Sequence, residues 1–174
     1  MEFLNVAKDD VLAWPNKAHR TYPPTVEARM ESTLTPYVQK SLDVVNTILD
    51  IYNDKLGLPE GTLISMHSLE EYSCSETRCI KNAAGVPVDK VGIAAHTDFG
   101  SLSFLHNRLG GLQVLPPGVK EWQYVKVRQQ AKLLHTFHSL ACVQPIPGHA
   151  ICNVGDALSL FSGGILRSNL HRVM

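Results

Sequence analysis

An excess charge of either sign is the first thing this sequence lacks. Sixteen Lys and Arg balance sixteen Asp and Glu across 174 residues. No net field therefore gathers nucleic acid, an anionic membrane or a polyanionic substrate, and the expected partner is a small molecule. No apolar run approaches the roughly 20 residues that span a bilayer. The opening MEFLNVAKDD carries charges where a secretory leader would be apolar, so the expectation is a cytoplasmic protein. The four cysteines, Cys74, Cys79, Cys142 and Cys152, form no C-x-x-C pair and no disulfide or zinc-knuckle pattern, and read as reduced thiols. Also missing are G-x-G-x-x-G, G-x-x-x-x-G-K and G-x-S-x-G, which sets aside dinucleotide-binding, phosphate-cradling and serine-hydrolase chemistry.

What is present divides into two textures. From Val26 to Leu56, apolar residues at Val26, Met30, Leu34, Val38, Leu42, Val45, Leu49 and Leu56 recur at steps of three, four and seven, which predicts helix. Thr35-Pro36 starts a second helix within this stretch, since proline lacks an N–H and fits only the first turn. Gly57 and Pro59 stop it. Beyond about Leu69, short runs (VGIAAH, SLSFL, LQVL, WQYVKV, HAICN, ALSLF, NLHRVM) alternate with Gly, Pro, Asn and Asp, which predicts an antiparallel sandwich or barrel.

Two of those runs carry chemistry. As a strand over residues 91–98, VGIAAHTD places Ala94, His96 and Asp98 on one face, so an imidazole and a carboxylate point together beside a small residue. As a strand over residues 169–174, NLHRVM offers His171 as a third ligand. Two imidazoles and one carboxylate can hold a divalent iron on three adjacent positions and leave the opposite three open, whereas structural zinc closes its shell with four protein ligands. An H-x-D with a distant histidine arises often by chance in a protein with eight histidines. The surroundings make the case.

HTDFGSLSFL, GGLQV at 110–114, NVGDALSLFSGG at 153–164 and SNLHRV occur together and in order. The set resembles the iron- and 2-oxoglutarate-dependent oxygenase superfamily, in its isopenicillin N synthase-like branch and closest to the fungal members. The resemblance implies a mainly β fold with an N-terminal helical region: residues 1–71 helical, and residues 72–174 a double-stranded β-helix, or jelly roll. It implies His96, Asp98 and His171 as ligands of Fe(II), with 2-oxoglutarate and O2 as cosubstrates in the oxidation of a small organic molecule by hydroxylation, desaturation or ring closure. Asn82 stands where many members carry a tyrosine that touches the cosubstrate. The family continues past the second histidine to an R-x-S pair whose arginine clamps the cosubstrate; the sequence ends at Met174 without it, so the expectation is a jelly roll incomplete at the C-terminus. Residues 127–144, VRQQAKLLHTFHSLACVQ, interrupt the family pattern, and removing them restores its usual Asp98-to-His171 spacing. Their ends match GT and AG codon boundaries, as a retained intron would.

The remaining candidates read as structural. His135 and His138 fall inside the insertion, and His19, His67, His106 and His149 have no partner at ligand spacing. Trp122 and Tyr124 read as sheet packing and Asp156 as a turn acid, while Ser101 and Asn169 read equally as groups that orient the metal ligands or as turn and strand-end residues. Alternative functions are a catalytically inactive fragment acting through protein contacts, an iron oxidase that does not use 2-oxoglutarate, and a cupin-like binding protein.

Overall fold

The computed structural model describes residues 2–16, 19–81, 85, 90–108, 110–125 and 147–174. Asn82 and the insertion at 127–144, with His135, His138 and Cys142 inside it, lie outside those residues. The chain separates into two compact units, Met1–Ala83 and Ala84–Met174.

Among its described residues, the first unit is built on helices and one two-stranded sheet. Strand β1 (Glu2–Ala7) leads directly into helix α1 (Lys8–Ala13), followed by α2 (Pro24–Glu27), a π-type turn at Met30–Leu34, α3 (Thr35–Lys55) and α4 (Thr62–Ser65). Pro36 sits in the first turn of α3, as its missing N–H requires. Gly57, at φ +67°, follows the end of α3 in the left-handed conformation that glycine adopts without strain. Val6, Val11, Met30 and Val38 form the buried core, with Leu4, Trp14, Tyr22, Val26 and Leu42 packed around it. The helical period thus names the inward face of this region correctly. The buried amide of Asn53 closes the α3–α4 turn: its Nδ2 donates to Leu58 O and Pro59 O, and its Oδ1 accepts from Leu63 N–H.

Strand β2 (Glu76–Lys81) pairs antiparallel with β1, from Glu2 opposite Lys81 to Ala7 opposite Glu76. Residues 72–81, grouped in sequence with the β-rich half, therefore join the first unit. This unit also buries charge. Lys8 Nζ lies 2.7 Å from Asp9 Oδ1 and donates to Leu69 O and Glu71 O. Asp9 Oδ2 accepts from Ser73 N–H, while Asp10 accepts from His19 N–H and the Tyr22 hydroxyl. No helix among the described residues is long and apolar enough to cross a membrane.

Among its described residues, the second unit is antiparallel sheet with one short helix. Strands β3 (Ile93–His96), β8 (His171–Val173), β5 (Leu112–Val114) and β6 (Gln123–Tyr124) hydrogen-bond in that order, and β4 (Leu102–Leu105) pairs with β7 (Ile151–Val154). On β8, Arg172 faces away from the neighbouring histidine: its Nε donates to Gln113 Oε1 at 2.7 Å and its guanidinium lies 4.3 Å from the Trp122 ring centroid. Trp122 is therefore a packing residue, held by a cation–π contact.

Two expectations are corrected. ALSLF is not a strand but belongs to helix α5 (Asp156–Phe161). Its local signals are helical: an acidic residue in the first turn, one buried position at Leu158, and glycines at positive φ, Gly163 and Gly164, just past its end. The strand expected over 91–98 also stops at His96, with a bulge between Ile93 and His96, so Asp98 comes from the turn after the strand.

That turn is tied to α5 through backbone. Gly155 N–H donates to Ser101 O, Asp156 N–H to Asp98 O at 2.7 Å, and Ala157 N–H to Phe99 O at 3.1 Å. A Cβ on Gly155 would lie 2.0 Å from Gly100 O, so only glycine permits this approach. Gly155→Ala is expected to cost about 3 kcal/mol by overpacking, whereas Gly100→Ala, whose Cβ would meet nothing within 4 Å, leaves stability nearly unchanged. Urea unfolding of the two variants checks the contrast.

In the first unit, burial opposes ionisation of Asp9. The hydrogen bonds from Lys8 and Ser73, with Lys8 and His19 charge nearby, outweigh it and hold the carboxyl below its ordinary value. The unfolded chain then takes up this proton first, so the group's contribution is complete above about pH 5 and is lost as pH falls through the carboxylate range. Asp9→Asn is expected to lower stability at neutral pH by about 3 kcal/mol, since it leaves Lys8 buried without its counter-charge, and to flatten the acid limb of a stability-against-pH curve.

Candidate metal centre

The antiparallel pairing of β3 with β8 sets His96 directly opposite His171. Their rings lie 4.3 Å apart between centroids. Each ring is fixed by its own chain: His96 Nδ1 is 2.8 Å from Ala94 O, and His171 Nδ1 is 2.9 Å from Asn169 O. A carbonyl oxygen only accepts, so each Nδ1 carries the proton, and in the neutral ring each Nε2 presents a lone pair.

Those two Nε2 atoms face one carboxylate oxygen. Asp98 Oδ1 is 3.7 Å from His96 Nε2 and 3.6 Å from His171 Nε2. Ligand atoms of all three residues lie within 4.8 Å of one another. The other oxygen, Oδ2, is occupied: Ser103 Oγ donates to it at 2.5 Å and Asn153 Nδ2 at 3.0 Å. Burial pushes the Asp98 carboxyl upward, but these hydrogen bonds, with the two histidines beside it, overcome that effect and hold it below its ordinary value. The group is thereby kept ionised, the state in which a carboxylate binds a cation.

The donor set fits a divalent transition metal with open positions: two imidazole nitrogens and one carboxylate oxygen. His96 is exposed and His171 is largely covered, so the centre is reached from the His96 side.

Sequence reasoning named these three residues, and they meet. For Ser101 and Asn169, which the sequence leaves open between orienting groups and turn or strand-end residues, backbone carbonyl contacts are seen. Asn169 acts through its backbone carbonyl rather than its amide, and the Ser101 carbonyl accepts from Gly155 N–H. Ser103 and Asn153, which do reach Asp98, were missed, because what brings them together is their direct pairing across β4 and β7. Asp156, read from the sequence as a turn acid between strands, is instead the first residue of α5 and accepts from Thr97 Oγ1 at 2.9 Å.

No protein-family model matches the chain. It is 30% identical over 175 residues to a 2-oxoglutarate-dependent dioxygenase of Dothideomycetidae sp., covering 99% of this chain and 47% of that protein. It is 34% identical over 155 residues to another of Amanita muscaria, covering 87% of this chain and 66% of that one. The chain thus spans less than two thirds of the length of these curated relatives. Among solved structures, JOX2 in complex with 2OG, Fe and JA matches with a TM-score of 0.61 at 22% identity, over 98% of this chain and 44% of that one, a likeness of fold. The ordered motifs, the dioxygenase relatives and this shared fold agree with the isopenicillin N synthase-like branch, and the chain belongs to the iron- and 2-oxoglutarate-dependent oxygenase superfamily.

Proposed function

We propose that His96, Asp98 and His171 hold Fe(II) in a dioxygenase that consumes 2-oxoglutarate and O2 to oxidise a small organic substrate by hydroxylation, desaturation or ring closure. The observation that carries this reading is the convergence of two histidine Nε2 atoms and Asp98 Oδ1 into one cluster of donors. The names of the relatives support 2-oxoglutarate as the cosubstrate. The paired strands of the second unit are read as the described part of a double-stranded β-helix.

The chain's own contribution is positional. The Nδ1-to-carbonyl hydrogen bonds prevent either ring from flipping and keep both Nε2 lone pairs on one side. Asp98 supplies a negative charge that offsets part of the cation's charge. Three protein donors leave the remaining positions to exogenous ligands. Bound there, ferrous iron would supply the oxygen activation that side chains lack. The exposed edge at His96 is the side from which a substrate enters.

Anaerobic titration with Fe(II) tests the centre directly. Saturable 1:1 binding is expected, weakened by about 100-fold or more in His96→Ala, Asp98→Ala or His171→Ala, a larger loss than outer-shell changes produce. Release of CO2 from 2-oxoglutarate then tests the cosubstrate. Binding by the native chain that is indifferent to all three substitutions overturns the metal centre. Iron binding with O2 consumption but no CO2 release overturns the 2-oxoglutarate assignment alone.

A further inference from the structure

We propose that Ser103 and Asn153 are positioning residues that restrict Asp98 to ligation through one oxygen, so that a bound cation keeps one more position for exogenous ligands. The inference rests on the metal-centre reading above and concerns how, rather than whether, Asp98 binds.

A carboxylate can meet a cation through one oxygen or both, and the second mode takes up a further coordination position. Which mode occurs depends on whether the second oxygen has better partners. Here it has two. Ser103 and Asn153 sit opposite each other in the β4–β7 ladder. Side chains directly paired across an antiparallel ladder emerge on one face, close together. Both converge on Asp98 Oδ2, at 2.5 Å and 3.0 Å. A carboxylate oxygen has two lone-pair sites, and two donors occupy them. Oδ1, which neither residue contacts, is the oxygen turned toward both Nε2 atoms.

The backbone adds to the constraint. Asp156 N–H holds the Asp98 carbonyl at 2.7 Å, so the main chain cannot swing to offer Oδ2 in place of Oδ1. Asp98 is therefore held at three points, by a backbone amide on its carbonyl and by two side-chain donors on Oδ2. A role confined to folding would need the hydrogen bonds but not their selectivity for one oxygen.

Co(II), whose visible d–d absorption reports coordination number, is the probe. The full chain and its Ser103→Ala, Asn153→Ala, double-alanine and Ser103→Thr variants are titrated anaerobically, with apo thermal midpoints recorded alongside. The double variant is expected to bind Co(II) about 10- to 100-fold more weakly, as outer-shell losses do. Its d–d bands are expected to weaken and shift as Oδ2 becomes a ligand. Ser103→Thr, which keeps the hydroxyl, retains the native spectrum. Should the double variant not fold, the single variants carry the same test, each with a smaller spectral change. Native-like affinity and bands in every folded alanine variant overturn the proposal while leaving the centre intact. Absence of Co(II) binding by the native chain overturns the metal-centre reading itself, and this inference with it.

Discussion

The candidate centre depends on one register. His96 and His171 are far apart in sequence and meet because β3 and β8 pair with these two residues as Cα partners. Side chains alternate faces along a strand, so a slip of one residue would turn an imidazole to the opposite face. The register is pinned from both sides of β8. Gly92 N–H donates to Val173 O on one edge, while Leu112, Gln113 and Val114 pair with Val173, Arg172 and His171 on the other. Arg172 adds a side-chain restraint on the face away from the histidines, through Gln113 and Trp122. The residue beside the ligand thus fixes the strand that the ligand needs.

The third ligand is held by a different device. Asp98 lies past the end of β3, where no ladder constrains it, and its turn is captured by the amides that begin α5. Those amides belong to the set a helix leaves without internal partners at its first turn. Here they satisfy the carbonyls of the ligand turn, so two local deficits are cancelled by one contact. Gly155 allows the two backbones to come that close. The G-D-A sequence at 155–157 is therefore a structural counterpart of the H-T-D sequence at 96–98, and Thr97 donating to Asp156 reinforces the joint.

Much of this was legible beforehand, for specific reasons. The helical period exposed the core of the first unit because burial there is one-sided, as at Met30 and Val38. The three candidate ligands were named from residue type and motif order, and the structure brings them together. The strand assignment of 91–98 reached the correct pairing of His96 with Asp98 by an incorrect route, since alternation ends at His96 and a turn does the rest. ALSLF is apolar enough to pass for a strand, and its local helical signals are reinforced by a nonlocal one invisible in sequence: the carbonyls of 98–101 that receive its first amides. Ser103 and Asn153 escaped notice for the same reason, being neighbours only through the β4–β7 register. β1 gave no isolated signal because its partner, β2, lies some seventy residues downstream.

The two units also show why clustered charge alone does not mark a binding site. Around α1, Lys8, Asp9 and Asp10 are consecutive in sequence and far better buried than the triad. Yet Asp9 Oδ1 meets Lys8 and Oδ2 meets Ser73 N–H, while Asp10 Oδ1 accepts from His19 N–H and Oδ2 from the Tyr22 hydroxyl. Each carboxylate oxygen is already occupied, and the cluster joins α1 to the 69–75 segment and to residues 19–22. In the second unit the hydrogen bonds fall on Nδ1 of each histidine and on Oδ2 of Asp98. The atoms they leave, two Nε2 and one Oδ1, are the three that converge. The side-chain hydrogen bonds thus fall on the far atoms of all three residues and leave the near atoms facing one another, which is the arrangement the proposed cation site requires.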